Sequence, residues 1–239
     1  MNQAFIRAEA MLGSAAMEKL AQSHVAVLGL GGVGSWAAEA LCRAGVGTLT
    51  LMDSDAVSES NINRQLYALR STVGLPKAEA AAARCRDIND RVTVYPIVGT
   101  YDAAHREAFF CRRYDYIVDC IDLVSCKLDL IEQAQQRNIP ILSALGTGNK
   151  WNAEKLTVTD ISKTYGCPLA RVMRKELRNR GIGHLPVVFS PEEAHETAQT
   201  EAPPQGRRSV PGSVVWVPAT AGLLMAQTVV LALTEEADT

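Results

Sequence analysis

The strongest constraint on the fold is a regular alternation of short apolar runs with amphipathic segments, starting near residue 24 and continuing to about residue 145. The apolar runs predict strands at 25–30, 48–53, 92–98, 114–122 and 140–145. The segments with helical patterns between them are 35–44, 77–88, 103–112 and 128–137. Strands that alternate with helices of this length form parallel βαβ units with both sheet faces covered. We therefore predict an α/β fold over residues 1–150, with a doubly wound, Rossmann-like and mostly parallel sheet.

The pattern changes after residue 150, and residues 151–239 are predicted to form a C-terminal α+β extension. A strand at 155–161 and a basic helix at 167–179 come first. The following polar segment, 190–208, contains Pro and Gly and has no strand or helix pattern, so we predict a mobile loop there.

The most apolar part of the chain is the segment 213–233. Pro218 and Gly222 interrupt it, so its continuous helical part is predicted to be shorter than the roughly 20 residues that a membrane span needs. We therefore predict a buried terminal helix and no contact with a membrane.

Composition limits the possible partners and compartments. The 24 basic and 26 acidic side chains give a net charge of −2, so a polyanion would have to bind a local basic patch. No two of the six cysteines form a CxxC pair, and the N-terminal segment lacks an apolar core of signal-peptide length. These features predict a cytoplasmic protein with reduced thiols and no four-cysteine zinc site.

A glycine-rich turn between the first predicted strand and helix contains Gly29, Gly31, Gly32 and Gly34. Such a turn brings backbone N–H groups at a helix N-terminus close to phosphate groups. Asp53 ends the second predicted strand, where its carboxylate can accept hydrogen bonds from ribose hydroxyls. This combination predicts nucleotide binding without identifying the nucleotide.

Three further motifs narrow the choice of nucleotide. They are S-E-S-N-I-N-R-Q at 58–65, G-L-P-K at 74–77 and D-C-I-D at 119–122. Together with the glycine turn, the series resembles the ubiquitin-activating-enzyme-like superfamily of ATP-dependent adenylating enzymes. Transfer of AMP to a carboxylate develops negative charge on the phosphates, so cationic side chains are needed beside them.

This resemblance implies roles for individual residues. Arg64 and Lys77 would hold the triphosphate, Asn61 would support the phosphates, and Gln65 would belong to the same ATP site. Asp122 would act through Mg²⁺. The predicted catalytic residues are therefore Asp122, Arg64, Lys77 and Asn61, within an adenylation domain formed by residues 1–150.

The same resemblance implies an assembly. Arg7 lies shortly before Leu12-Gly13, a position like that from which superfamily dimers send an arginine into the partner's ATP site. A homodimer is therefore expected, with a monovalent cation, K⁺ or Na⁺, near the site. A surface arginine without this role remains the alternative for Arg7.

The resemblance to one group within the superfamily covers nearly the whole chain. Its motifs lie at 31–41, 71–79, 158–164 and 167–177, and they look like those of the bacterial tRNA threonylcarbamoyladenosine dehydratases. The implied reaction uses ATP to activate the threonyl carboxylate of a modified adenosine next to the anticodon. An internal ureido nucleophile then closes a ring and expels AMP. A catalytic cysteine is not required, so Cys167 is expected to pack against its neighbours; a sulfur-relay partner is possible under this resemblance.

A tRNA substrate needs a basic surface, and residues 163–180 contain a candidate. The predicted RNA-binding residues are Lys163, Arg171, Arg174, Lys175 and Arg178. The last four have the spacing of one helix face, which could neutralise phosphates without reading bases. The opposite, core-facing stripe is predicted to be Leu169, Val172, Met173 and Leu177. A soluble helix with a polar face is the alternative interpretation.

Three other functions remain open at this point. A sulfur-carrier-protein adenylyltransferase would use the same ATP site on a protein carboxylate, although such relatives typically carry two CxxC zinc pairs. A non-catalytic subunit of an activating enzyme would not need the intact charged motifs. A nicotinamide oxidoreductase is supported only by the glycine turn and Asp53.

Overall fold

The computed structural model describes residues 3–198 and 210–235. Seven strands form one sheet. They are β1 (His24–Leu28), β2 (Thr48–Asp53), β3 (Thr93–Val98), β4 (Tyr116–Asp119), β5 (Ile141–Ala144), β6 (Thr157–Asp160) and β7 (Pro186–Phe189). Their order is β3–β2–β1–β4–β5–β7–β6, and every neighbouring pair is parallel except β7 with β6. The predicted mostly parallel, Rossmann-like sheet is therefore confirmed.

Helices cover both faces of this sheet. They are α1 (Ile6–Leu12), α2 (Ser14–Gln22), α3 (Gly34–Ala44), α4 (Lys77–Ile88), α5 (Arg106–Phe109), α6 (Val124–Gln136), α7 (Pro168–Asn179) and α8 (Trp216–Thr234). Alternate residues of β1 face opposite ways: Val25 and Val27 pack with α3, α4 and α8, while Ala26 and Leu28 pack with α6 and α7. Two hydrophobic clusters thus enclose the sheet, as expected for parallel strands.

The C-terminal part extends the same sheet and the same core. β7 lies beside β5 in parallel, and β6 pairs antiparallel with β7 at the edge. α8 packs along α3, and its buried residues belong to the hydrophobic cluster that contains Val25 and Val27. The sequence pattern changes at residue 150. The division of the chain into two domains at that residue stays a prediction.

The predicted interruption of the last helix is wrong, because α8 runs for 19 residues without a break. Pro218 is the third residue of the helix, where a proline removes no intrahelical hydrogen bond. Gly222 allows close packing, since a Cβ there would lie 2.4 Å from the Val33 carbonyl oxygen. α8 is long and apolar enough to cross a membrane, but half of its most apolar window is buried in the fold, as predicted for a core helix.

Some predicted strands and helices are shorter in the structure, because a local sequence pattern does not show where backbone hydrogen bonding ends. The strand predicted at 114–122 is limited to β4, and the helix predicted at 103–112 is limited to α5. The sequence patterns missed α1, α2 and β7. Within the segment predicted as a mobile loop, residues 190–198 contain no helix or strand, and residues 199–208 lie outside the described residues.

Candidate nucleotide-binding site

The glycine turn lies at the carboxyl edge of the sheet between β1 and β4. The strand order reverses there, which is where doubly wound sheets bind ligands. Gly29 has φ +85°, and a Cβ on it would lie 2.5 Å from the Cys120 carbonyl oxygen. A Cβ on Gly34, the first residue of α3, would lie 1.8 Å from the Gly29 carbonyl oxygen. Both positions therefore require glycine to bring the turn and the start of α3 together.

The Asp53 carboxylate is held beside this turn by backbone donors. Its Oδ2 accepts a hydrogen bond from the Leu30 N–H at 2.6 Å, and its Oδ1 accepts one from the Asp55 N–H at 2.8 Å. These bonds fix the carboxylate's orientation and leave lone pairs for further donors. Such a carboxylate is suited to accept the hydroxyl groups of a ribose.

Lys77, the first residue of α4, places its ammonium group beside the two aspartates after β2. Its side chain is only 7% exposed, and Nζ lies 2.7 Å from Asp55 Oδ2 and 4.0 Å from Asp53 Oδ1. The Lys77 N–H also donates to the Asp55 carbonyl oxygen at 2.9 Å, which ties α4 to the segment after β2. The structure therefore brings Lys77 and Asp53 together and adds Asp55, which sequence reasoning missed. The sequence signal for Asp55 was its position two residues after Asp53, directly beyond the end of β2.

Arg64 and Gln65 reach the glycine turn from the loop after β2. A Cβ built on Gly32 would lie 3.7 Å from Arg64 Cγ, and one built on Gly31 would lie 3.8 Å from Gln65 Nε2. The loop is held against α3 because Trp36 Nε1 donates to the Arg64 carbonyl oxygen at 3.2 Å. Both predicted ATP-binding residues thus lie beside the turn.

The Arg64 guanidinium is held by its own loop. Its Nη1 donates to the Ser60 carbonyl oxygen at 2.8 Å and to Asn63 Oδ1 at 2.9 Å. Asn61 has a local role as well, because its Oδ1 accepts the Ser58 N–H at 3.2 Å and so caps the 3₁₀ turn Glu59–Asn61. A contact between Asn61 and phosphate stays a prediction.

Asp122 lies on the segment that supports the turn from the side of β4. Backbone atoms of Cys120 and Ile121 would lie 2.5 and 3.3 Å from a Cβ on Gly29, and Asp122 follows them with an exposed side chain. The residue at the N-cap of α6 is Leu123, so Asp122 does not occupy the capping position. This placement is compatible with the predicted role toward ATP and Mg²⁺, which stays a prediction.

A buried ion pair beneath this segment was not predicted. Lys127 Nζ lies 2.6 Å from Asp119 Oδ2, and both side chains are fully buried. Ser143 Oγ donates to the same carboxylate oxygen at 2.6 Å, and the Ile121 N–H donates to Asp119 Oδ1 at 3.0 Å. The network therefore links β4, β5 and α6 to the backbone behind the glycine turn. The sequence around Lys127 resembles that of a surface helix and contains no signal for it.

The family of the chain follows from its match to a family model. The model of the ThiF family matches residues 5–239, which include the glycine turn, both acidic strand ends and α8. The chain belongs to the ThiF family.

Two known proteins match almost the whole chain, and a third matches a smaller part of it. The tRNA threonylcarbamoyladenosine dehydratase of Bacillus subtilis (strain 168) is 39% identical over 241 residues, covering 97% of this chain and 95% of that protein. A crystal structure of the E. coli tRNA N6-threonylcarbamoyladenosine dehydratase in complex with ATP matches with a TM-score of 0.87 and 33% identity, covering 97% and 93% of the two chains. The E. coli molybdopterin-synthase adenylyltransferase is 34% identical over 150 residues, covering 63% of this chain and 60% of that protein.

Arg7 lies far from the glycine turn of the same chain. It is exposed on α1, and the neighbouring Phe5 lies 3.9 Å from a Cβ built on Gly45. Gly45 ends α3, the helix that begins at the glycine turn, so roughly 16 Å of helix separates the two places. This separation agrees with a contact between Arg7 and the ATP site of another copy of the chain, and that role stays a prediction.

The basic helix α7 differs from its prediction at two positions. Val172 is 43% exposed, whereas Ala170, Met173 and Leu177 form the buried face. Arg174 belongs to that inward face by its spacing, and its guanidinium donates to the Thr164 carbonyl oxygen at 2.6 Å and to the Thr164 hydroxyl. Arg174 is therefore half-buried, with one guanidinium nitrogen bound to Thr164, and its predicted contact with RNA stays a prediction. The remaining predicted residues are all exposed, and we call them the exposed basic face: Lys163, Arg171, Lys175 and Arg178.

Cys167 is buried at the N-cap of α7, as expected of a packed thiol. Within residues 3–198 and 210–235, no three His, Cys, Asp or Glu side chains are grouped so that they could hold a metal ion. The expectation that the chain lacks a zinc site stays a prediction, as does the monovalent cation.

Proposed function

We propose that this chain uses ATP to dehydrate N6-threonylcarbamoyladenosine in tRNA, closing a ring by way of an adenylated carboxylate. The observation that carries this proposal is the similarity to the Bacillus subtilis dehydratase over 97% of this chain and 95% of that protein. The nucleotide site supports it, because Asp53, Lys77 and Arg64 are gathered at the glycine turn. Hydride transfer by a nicotinamide dehydrogenase develops no charge on a leaving pyrophosphate, so that reaction does not call for this pair of cations.

The arrangement supports a division of tasks within the site. The fixed Asp53 carboxylate would accept the ribose hydroxyls and so orient the nucleotide on the turn. Lys77 and Arg64 would place positive charge beside the phosphates, which carry more negative charge as pyrophosphate leaves. Lys77 would exchange part of its contact with Asp55 for the phosphates, since its buried side chain is already held beside Asp55 at 2.7 Å.

The bonds balance without a nucleophile from the enzyme. A threonyl carboxylate oxygen attacks the α-phosphorus, the bond to pyrophosphate breaks, and an acyl-adenylate forms. The ureido group of the same nucleoside then attacks the activated carbonyl, loses a proton and expels AMP. The oxygen lost as water from the nucleoside leaves in AMP, so buried cysteines such as Cys167 need not take part.

Mg²⁺ bound with ATP would offset the negative charge of the phosphates. A single exposed carboxylate beside bound phosphates is a typical Mg²⁺ arrangement, and Asp122 meets that description. Asp122 is therefore proposed to hold the metal on the side of the site formed by the segment after β4. A K⁺ or Na⁺ ion nearby remains part of the proposal.

The proposal extends to partners. The tRNA would contact the exposed basic face, where four cations are available to phosphates. A homodimer in which Arg7 enters the partner's ATP site would agree with the distance between α1 and the chain's own glycine turn. A cytoplasmic location and a sulfur-relay protein as an accessory partner complete the proposal.

Activation of a sulfur-carrier protein is the less favoured alternative. The molybdopterin-synthase adenylyltransferase match covers only 60% of that protein, whereas the dehydratase match covers 95%. AMP formation that depends on a small ubiquitin-like protein, and not on tRNA, would favour the alternative.

The test is incubation with ATP, Mg²⁺ and tRNA bearing threonylcarbamoyladenosine, followed by mass spectrometry of the nucleosides. We expect the nucleoside to lose one water as AMP is released. Arg64→Ala should lower turnover by about 10²-fold or more, because a cation beside the reacting phosphates is lost. Arg70→Ala is the matched control, since Arg70 is 87% exposed and pairs with Glu59 at 3.5 Å on the same loop. Unchanged nucleoside despite measured ATP binding would overturn the proposed function. Full turnover by Arg64→Ala would overturn the role given to Arg64.

A further inference from the structure

Two tryptophan side chains are paired on the surface. Trp151 is 62% exposed and Trp216 is 44% exposed, although large aromatic rings are usually buried for most of their area. Their ring centroids lie 5.4 Å apart in an edge-to-face arrangement, and Trp216 Nε1 donates to the Trp151 carbonyl oxygen at 2.8 Å. The rings are thus fixed relative to each other while their remaining surface faces solvent.

The pair adjoins the nucleotide site. Trp216 is the first residue of α8, and Pro218 in the same helical turn would contact a Cβ on Gly32 at 3.1 Å. Just before the helix, the Ser213 carbonyl oxygen accepts a hydrogen bond from Asn63 Nδ2 at 3.0 Å. The segment that carries Trp216 is therefore bound both to the glycine turn and to the loop that carries Arg64.

The backbone of Trp151 is held by buried charges. The Trp151 N–H donates to Glu192 Oε1 at 3.0 Å, and Lys150 Nζ donates to the carbonyl oxygens of Ser190 and Glu192 at 2.9 and 2.6 Å. Burial acts to raise the pKa of Glu192, but hydrogen bonds from the Asn152 and Trp151 N–H groups and from His195 together outweigh it, and the pKa is lowered. The Trp151 backbone is thus held by hydrogen bonds to Glu192. Residues 190–192, the start of the segment predicted as a mobile loop, are fixed by the same contacts.

A third exposed ring continues toward α7. Tyr165 is 65% exposed, and its ring lies 6.0 Å from that of Phe189, the residue before Ser190. A Cβ on Gly166 would lie 2.6 Å from the Pro191 carbonyl oxygen, so the start of α7 is packed against the segment that supports Trp151. We call Trp216, Trp151 and Tyr165 the aromatic strip. Trp216 and Trp151 are in contact beside the glycine turn, and Tyr165 lies near the start of α7, which is packed against the segment that holds the Trp151 backbone.

We propose that unpaired bases of the RNA substrate stack on the aromatic strip beside the nucleotide site while the exposed basic face binds the flanking phosphates. This inference rests on the proposed function, which requires a nucleoside within an RNA loop to reach the α-phosphate of ATP. Unpaired RNA bases are commonly held by stacking on aromatic side chains, and the backbone by lysine and arginine. The adjoining cationic helix makes single-stranded RNA a better occupant of these rings than an apolar protein surface.

The test compares Trp151→Ala and Trp216→Ala with the corresponding Phe variants. Loss of one stacked base should raise the KM for tRNA roughly 10-fold, with kcat changed less than about twofold and ATP affinity unchanged. The Phe variants keep a ring and should restore the KM to within about threefold of the original value. Tyr95→Ala is the control, because Tyr95 is 40% exposed on β3, at the opposite end of the sheet from β6, and should leave the KM unchanged.

Binding is measured separately from turnover, by quenching of tryptophan fluorescence with an RNA stem-loop bearing threonylcarbamoyladenosine. In each single Trp→Ala variant the other strip tryptophan still reports binding, and a higher RNA concentration needed for half-maximal quenching supports the aromatic strip. If the original chain binds this RNA through the strip but does not dehydrate it, the proposed function fails and the strip stands. If the chain dehydrates tRNA while both Ala variants behave like Tyr95→Ala, the strip is refuted alone. An absence of RNA binding by the original chain refutes it as well.

Discussion

Replacing Lys127 with Met removes the cation from the buried ion pair behind the glycine turn. The Asp119 carboxylate would then keep only the Ser143 hydroxyl at 2.6 Å and the Ile121 N–H at 3.0 Å, without a compensating charge. Because both side chains are fully buried, we expect the free energy of unfolding to fall by about 3–5 kcal/mol. That is a large part of the roughly 5–15 kcal/mol that stabilises a typical protein.

The assay is urea unfolding followed by circular dichroism, with a double-mutant cycle. Asp119→Asn combined with Lys127→Met removes both charges, so the double variant should lose less stability than the sum of the two single losses. Arg70→Met, in an exposed ion pair with Glu59, should change the free energy of unfolding by less than about 0.5 kcal/mol. A loss below about 1 kcal/mol in Lys127→Met, or strictly additive losses, would refute the reasoning.

Two further predictions concern the turn and the RNA surface. Gly29→Ala should weaken ATP binding, measured by calorimetry, by at least about 10-fold. The added Cβ would lie 2.5 Å from the Cys120 carbonyl oxygen, and the φ of +85° is strained for alanine. Gly99→Ala is the control and should bind ATP normally, because no atom lies within 4 Å of the added Cβ. An equal effect of both substitutions would contradict the steric argument. Replacing the three residues of the exposed basic face that lie on α7, Arg171, Lys175 and Arg178, with Ala should weaken tRNA binding. The magnitude of the slope of log Kobs against log[salt] should fall by about 2–3, because three phosphate contacts are lost. ATP affinity should stay constant, and a parallel loss of it would show that the substitutions disturb the fold instead.

The elements that sequence analysis placed well are those with local signals. β2 and α4 have the predicted bounds because a buried strand ends at Asp53 and Pro76 stands directly before the first residue of the helix. The glycine turn was equally readable, since a strand, a cluster of glycines and a helix follow one another without interruption. From these, the nucleotide edge of the sheet could be predicted with Asp53 on it, whereas the role of Lys77 was implied by the resemblance.

What could not be predicted depends on contacts between distant segments. Lys127 occupies an amphipathic helix in which a lysine is expected on the surface, and only the packing of α6 onto β4 places it against Asp119. Arg174 has the spacing of a basic face and also that of the buried face, and its hydrogen bond to Thr164 could not be predicted from that spacing. β7 has four residues and is recognisable as a strand only through its pairing with β5 and β6.

The contact between α8 and the glycine turn also determines when the nucleotide site can form during folding. Pro218 would touch a Cβ on Gly32, and Gly222 lies against the Val33 carbonyl oxygen, while every strand from β2 to β7 lies between these partners in sequence. Contacts across such long stretches of chain form slowly, because the intervening loop must be closed first. Newly synthesised β1 and α3 therefore have to wait, with part of their apolar surface uncovered, until α8 has been made. Competence to bind ATP is consequently a late event in the maturation of the chain, and this interval is when it is most exposed to aggregation.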